Sequence, residues 1–333
     1  SAITRDITWQ DLENANLGLD LRFFNNALGV TFDVFRRDTK NMIVPGEGVS
    51  LTFGAGAPKG NFGSMRTEGW DLSVDYKHTF DNGLGISLMG TMSDAVTTIL
   101  KYGDTQSVDG WYEGKKYGEI WGYRTDRLYQ ESDFVLDANG NPERIVLTAN
   151  ESAKYAGRTA NKLSDSNGVY QAFLQNNSNF FFGPGGVKFV DLNGDGEIDA
   201  GSRLIDDHGD LEIIGNSTPR FEYGLRLGAD WHGVDASVFL QGIGSRQVWG
   251  VGFLSTPGFH ASDGAMPQTI AGDFWRPDRT DAFYPAPYNM AGSNSGNNMQ
   301  VQSKYLLDMS YLRIKNITVG YSFPPSVINK VMI

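Results

Sequence analysis

Apolar and polar residues alternate with period two in several separate stretches of this chain. From Asn16 to Phe24, Leu17, Leu19, Leu21 and Phe23 interleave with Asn16, Gly18, Asp20 and Arg22, which puts one strand face in an apolar medium and the other in water. Asn25-Asn26 then offers a two-residue turn, and Val30, Phe32 and Val34 carry the return strand with Thr31 and Asp33 on its other side. A second hairpin runs through Trp70, Leu72, Val74 and Tyr76, turns at Asp81-Asn82-Gly83 and returns through Leu84, Ile86 and Leu88. A third runs from Phe221 through Tyr223, Leu225, Leu227 and Ala229 to Trp231, turns at His232-Gly233 and returns through Val234, Ala236, Val238 and Leu240. A seventh strand is predicted from Tyr311 to Phe323, ahead of Pro324-Pro325. Leu17, Leu19, Leu21, Leu72, Val74, Leu225, Leu227 and Val238 should share one face, and Asp20, Arg22, Asp75, Arg226 and Asp235 the other.

The connections are unequal. Each hairpin closes through a few residues at one end, while the other ends are joined by stretches of about 37–68, 94–220 and 242–310. Short turns on one side and long loops on the other, with alternating strands of about ten residues, is the layout of an antiparallel transmembrane β-barrel. Phe221 and Tyr223 at one end of a strand and Trp231 at the other would form two aromatic girdles. A soluble sandwich or solenoid also alternates, so pattern alone leaves both open.

Composition narrows the function classes. The 333 residues hold 41 Gly, 20 Phe, 14 Tyr and 7 Trp, which suits strands and turns better than long helices. A formal charge of -11 is the wrong sign for coating phosphates, so nucleic acid is not expected as a partner. There is no Cys, and His78, His208, His232 and His260 have no paired ligand spacing, which removes disulfide and zinc frameworks. No apolar run reaches the ~18 residues of a spanning helix. The opening Ser1-Ala2-Ile3-Thr4-Arg5 lacks both Met and signal-peptide zones, and the expectation is a piece cut from something longer.

Particular stretches carry a family resemblance. They are Thr8–Asp20 (TWQDLENANLGLD), Asp33–Ile43 (DVFRRDTKNMI), Gly60–Ser73 (GNFGSMRTEGWDLS), Val187–Asp199 (VKFVDLNGDGEID), Thr218–Gly224 (TPRFEYG) with Phe239–Gly242 (FLQG), and Tyr311–Pro324 (YLRIKNITVGYSFP). In this order the chain resembles the SusC/RagA-like TonB-linked outer-membrane proteins over most of its length. The resemblance implies a TonB-dependent transporter of the cell outer membrane: a barrel of about 22 strands around a plug, a SusD-like surface lipoprotein as lid, and energy from the TonB complex. Its implied cargo is an oligosaccharide or an oligopeptide. Seven strands, no plug and no TonB-contacting segment are legible here, so the chain is expected to be the C-terminal part of a barrel. Seven strands alone would leave open edges in lipid.

Chemistry-bearing motifs are few. Asp191, Asn193, Asp195, Glu197 and Asp199 (DLNGDGEID) match positions one to nine of a calcium loop, with alternate oxygen side chains and Gly196 where the backbone turns. Position twelve is Ser202, where the family usually has an acid, and Asp206 or Asp207 could substitute. A tight turn held by Asp and Asn side chains explains the same residues without calcium. In the long loops, Trp111, Tyr112, Trp121, Trp275, Tyr284 and Tyr288 are candidate stacking or lid-contact rings, with Asp104, Asp109, Arg276 and Asp278 as hydrogen-bonding neighbours. The plainer alternative is that these rings pack the loops. No Gly-x-Ser-x-Gly elbow or phosphate loop occurs, so the chain is not expected to be an enzyme and no cofactor is required. The competing function is a soluble cell-surface β-rich glycan-binding protein or glycoside hydrolase.

Overall fold

The computed structural model describes residues 7–46, 58–103, 106–172, 180–250, 268, 272–287 and 297–324. Four strands come first: β1 (Asp11–Phe23), β2 (Leu28–Pro45), β3 (Lys59–Thr79) and β4 (Gly85–Tyr102). The first long connection carries short strands β5 (Glu119–Tyr123), β6 (Thr125–Leu128), β7 (Arg144–Val146), β8 (Thr159–Asn161), β9 (Val187–Phe189) and β10 (Leu211–Asn216). Then come β11 (Arg220–Trp231), β12 (Val234–Ser245), the two-residue β13 (Gln247–Val248) and β14 (Leu307–Asp308), and β15 (Tyr311–Tyr321).

Seven of these, the strands the alternation predicts, make one antiparallel sheet in the order β1-β2-β3-β4-β11-β12-β15. Its turns set the register. Asn25 and Asn26, with Phe24, hold φ between 54° and 70°, so β1 ends at Phe23 and the turn takes four residues. His232 and Gly233 both sit at positive φ (49° and 87°) and place Trp231 opposite Val234, a turn whose twist matches that of the strands. At the β3–β4 turn, Leu84 N–H donates to Asn82 Oδ1 at 3.1 Å.

Pairing among β1–β4, β11 and β12 stays in register through the apolar band, and a one-residue bulge at Lys315 of β15 keeps Ile314 and Ile317 in apolar rows, so whole rows across the sheet share one character. One row runs Leu21, Val30, Val74, Gly90, Leu225, Leu240, Ile314, and the next Phe23, Leu28, Tyr76, Leu88, Leu227, Val238, Ile317. The opposite face carries Asp20, Thr31, Ser73, Thr91, Gly224, Gln241, Arg313. With period two, a one-residue slip anywhere would mix the two faces. Among the described residues nothing packs on the apolar face: Leu17 is 73% exposed and Val319 74%. From Tyr223 to Trp231 it spans nine residues in eight steps, ~26 Å along the strand at ~3.3 Å per step, or ~20 Å when tilted by ~40°.

The strands run further than the apolar alternation suggests. Residues 37–45, 59–68 and 94–102, expected as loop, are strand. Backbone pairing needs no apolar side chain, and beyond the apolar band polar pairs hold the strands together. Lys40 Nζ meets Glu13 at 2.7 Å, Arg37 donates to Asn14 at 3.1 Å, and Arg36 and Arg66 converge on Asp38 at 2.6 and 2.7 Å.

The hydrophobic core lies in the loops. Val108, Tyr123, Leu128, Tyr129, Phe134, Phe182, Val187, Phe189, Ile198, Leu211, Trp275 and Tyr305 form one buried cluster contributed by both long connections. Two-stranded pairings β5·β10, β6·β9, β7·β8 and β13·β14 frame it. The connections therefore build a folded cap at the end of the sheet away from the short turns.

Candidate functional site

The polar face of the sheet is one wall of the site. Arg22 Nη1 bonds both Asp75 oxygens at 2.9 and 2.7 Å, and Thr31 Oγ1 donates to Asp20 at 2.6 Å. A recess of about 190 Å³ is lined by Thr31, Asp33, Asp71, Ser73, Thr91 and Glu222 among others. Asp33 lies directly opposite Asp71. Like charges so placed repel, which a water-filled lumen tolerates and a dry core would not.

Above this wall, residues 107–121 form a compact module on the continuing edge of β4. Ile99 N–H donates to Lys115 O, Gly114 N–H to Ile99 O and Tyr117 N–H to Thr97 O, each at 2.8 Å. The buried Lys115 ammonium donates to Val108 O at 3.1 Å and Gly110 O at 2.6 Å. It also lies over the Trp111 and Tyr112 rings at 5.7 and 5.1 Å. Burial pulls its pKa below the usual lysine value. Tyr112 is buried, donates to Glu119 Oε2 at 2.5 Å and accepts from Trp121 Nε1 at 3.1 Å. Burial, reinforced by Glu119, raises its phenol well above the ordinary range.

Trp111 stacks on Tyr117 with centroids 5.3 Å apart and planes at 24°, and Tyr102 stands 6.3 Å from it. Tyr117 is 52% exposed. Three rings with an open side therefore sit together at the junction of sheet and cap. Tyr102 and Tyr117 are absent from the rings singled out by sequence. They join Trp111 only because residues 114–117 pair with β4, and no periodicity signals that pairing.

The other expected site residues divide as follows. Trp121 is half-buried, lies 5.2 Å from the His208 ring and packs on the cap core. Trp275 belongs to that core and directs Nε1 to Gln130 Oε1 at 3.3 Å. Its ring covers Gly185, where φ is +79° and an added Cβ would come within 2.6 Å of the indole. Tyr284 stacks on Tyr305 at 6.0 Å and 3°. Arg276 pairs with Asp278 at 3.3 Å. Asp109 forms a two-point ion pair with Arg203 (2.5 and 2.6 Å) that holds its carboxyl below the usual range. Asp104 and Tyr288 lie outside the described residues. Trp111, Tyr112, Trp121 and Asp109 thus share one module and Trp275, Tyr284, Arg276 and Asp278 a second, with Trp121 and Tyr284 touching the same core.

The Asp191 loop is tightly turned, with Gly194 and Gly196 at φ +72° and +83°. Asp191 accepts Gly194 N–H at 2.6 Å and Gly196 N–H at 2.9 Å, and Asp195 accepts Glu197 N–H at 2.9 Å and Asn193 Nδ2 at 3.0 Å. Glu197 and Asp199 are buried and face Ser152 and Lys154. Ser202 N–H donates to Asp207 at 3.0 Å. Among the described residues no group of three or more His, Asp or Glu is placed to hold a metal ion.

Comparisons with known proteins agree with this architecture. Residues 4–119 match the family model "TonB dependent receptor-like, beta-barrel". The chain is 24% identical to TonB-dependent receptor P3 of Formosa agariphila, over 98% of this chain and 28% of that protein. It is 23% identical to TonB-dependent receptor SusC of Bacteroides thetaiotaomicron, over 97% of this chain and 27% of that one. In structure it resembles the RagAB peptide transporter, with TM-score 0.59 at 17% identity, covering 97% of this chain and 30% of that chain. The chain therefore spans under a third of the length of these relatives, which are named as receptors and a transporter. An apolar face, an opposite polar face and a folded cap over one end are the features of a barrel wall, and in residues 4–119 and in fold the chain is similar to the TonB-dependent receptor-like β-barrels.

Proposed function

We propose that this chain is the C-terminal part of an outer-membrane transporter that imports oligosaccharides or oligopeptides by a TonB-dependent route, together with a SusD-like lipoprotein. The supporting observation is the division of labour in the sheet and loops. Seven strands present a continuous apolar face to lipid and a polar face to the lumen, while both long connections fold into a cap over one end. Strands serve as scaffold and loops as recognition surface. The likeness to a RagAB peptide transporter supports the oligopeptide class, and the likeness to the receptor SusC supports the family resemblance from which the oligosaccharide class is taken. Strands, plug and TonB contact beyond this chain would complete the machine.

Within the cap, the Trp111, Tyr117 and Tyr102 rings are the surface on which a sugar ring or peptide side chain would stack. A soluble glycan-binding protein or hydrolase is disfavoured by the unpacked apolar face, since Leu17, Val319 and their row neighbours would meet water.

The test uses the full-length receptor in detergent, titrated calorimetrically with panels of oligosaccharides and of oligopeptides. One class should bind, and Trp111→Ala with Tyr117→Ala should weaken it by about 1–3 kcal/mol while the barrel still inserts. Binding by neither class, with or without the lipoprotein, would defeat the import reading. Unchanged affinity in the variants would move recognition away from these rings.

A further inference from the structure

The Asp191–Asp199 loop has the wording of a calcium loop and the packing of something else. Asp199, at position nine, turns one oxygen to Lys154, and Glu197, at position seven, where a calcium loop uses only the backbone carbonyl, turns its side chain to the same segment. Glu197 accepts Ser152 Oγ on both oxygens at 2.7 and 2.8 Å and Lys154 N–H at 3.2 Å. Asp199 accepts Gly201 N–H at 2.6 Å on one oxygen and the Lys154 ammonium on the other. The nearby Asp210, also buried, accepts Leu192 N–H at 2.7 Å and Asp199 N–H at 2.8 Å. Asn193 spends its amide on Asp195, and position twelve holds Ser202 in place of a bidentate acid. A calcium ion needs six to eight oxygens converging at ~2.3–2.6 Å. Here two of the three buried acids, Glu197 and Asp199, turn to one short segment, residues 152–154, while Asp210 accepts N–H groups of the loop itself.

We infer that Lys154 supplies the loop's cation from within the chain, and that the Ser152–Lys154 strap replaces divalent calcium in holding this part of the cap. A buried carboxylate must be paired or hydrogen-bonded, and an ammonium on Asp199 with a hydroxyl and an N–H on Glu197 meets that need. The strap also has somewhere to pull. Glu197 and Asp199 flank Ile198, which is 1% exposed in the main cap core. Residues 152–154 adjoin Tyr155, which packs against the second cluster of Leu147, Ala160, Tyr170 and Ala172. The strap therefore ties the β7–β8 hairpin to the core.

The full-length receptor in detergent provides the test, read by chymotryptic cleavage between residues 140 and 210, because chymotrypsin does not cut at lysine. Wild-type cleavage should be the same in EGTA and in about 10 mM calcium, a concentration above the ~1 mM dissociation constants of weak calcium modules. Lys154→Met should raise cleavage about tenfold, the change expected for ~1.4 kcal/mol of local stability, while Lys154→Arg should not. Adding Ser202→Glu to Lys154→Met should make protection calcium-dependent. Two results would overturn the inference: calcium protecting the wild type with Asp191→Asn abolishing that protection, or Lys154→Met leaving cleavage unchanged. The wild-type calcium comparison stands even if a variant fails to fold, and it is independent of whether any cargo binds.

Discussion

Single side chains decide the shape of the cap where it meets the sheet. Lys115 satisfies two carbonyls, Val108 O and Gly110 O, inside a module that also positions Trp111 and Tyr112. Replacing it by Met leaves those acceptors without their donor, a loss of about 1–3 kcal/mol. We expect faster amide hydrogen exchange across residues 107–117 in the full receptor, with the barrel strands unaffected. Asp109 acts on the same module through Arg203. Its hydrogen bond to Arg203 lowers its folded pKa, so its contribution is complete above the ordinary aspartate value of ~3.9 and is lost as pH falls through the lowered one. Both partners are about half exposed, which limits the effect to ~1 kcal/mol or less. Exchange at Val108, whose N–H donates to Arg203 O at 3.0 Å, should therefore quicken only in acid below about pH 4.

At the scale of the element, the two faces of one strand should respond differently to the same substitution. Leu225 lies in an apolar row and Arg226 beside it in a polar one. Leu225→Arg should cost about 2–4 kcal/mol of barrel stability, whereas Arg226→Ser should be nearly neutral. Urea titration of the receptor refolded in lipid vesicles reads both, and equal losses would mean that the faces are misassigned. The β11–β12 turn adds a backbone constraint. Gly233 sits at φ +87°, and an added Cβ would meet Ser322 O at 2.8 Å. Gly233→Val should lower stability by about 1–3 kcal/mol, measured in the same titration, while the apolar row above the turn stays in register.

For the whole molecule, the two outer strands of the sheet matter most. Among the described residues β1 and β15 each pair on one side only, and every unpaired backbone group costs several kcal/mol in hydrocarbon. These 333 residues alone, refolded with vesicles, should therefore fail to give a protease-protected sheet. Co-expression with the remainder of a receptor should restore protection. A protected form of the lone chain would mean that its edges pair with each other or with a second copy. The cap follows different rules, since its buried core comes entirely from its own loops. It should exchange as a unit distinct from the strands.

Strand identity, the partners within each hairpin and the split into an apolar and a polar face were legible in the chain because the side-chain period of a strand is two and the turns at Asn25-Asn26, Asp81-Asn82-Gly83 and His232-Gly233 are written locally. The resemblance in the quoted stretches added the family. Three things were decided only in three dimensions. The strands outrun their apolar segments because Lys40 reaches Glu13 and Arg66 reaches Asp38 across the sheet, and such pairs leave no periodic trace. Trp275 and Tyr112, flagged alike with Trp111 as loop aromatics, are buried, while Tyr117, not flagged, stays open; residue type alone cannot tell a ring that packs from a ring that waits. The Asp191 motif reads as a metal loop from residue 191 to 199, yet the group that answers its charge, Lys154, lies forty-five residues from Asp199. Local pattern fixes what repeats along a strand, and long-range packing fixes which buried charge meets which partner, because the interior penalises an unpaired ion wherever along the chain its partner comes from.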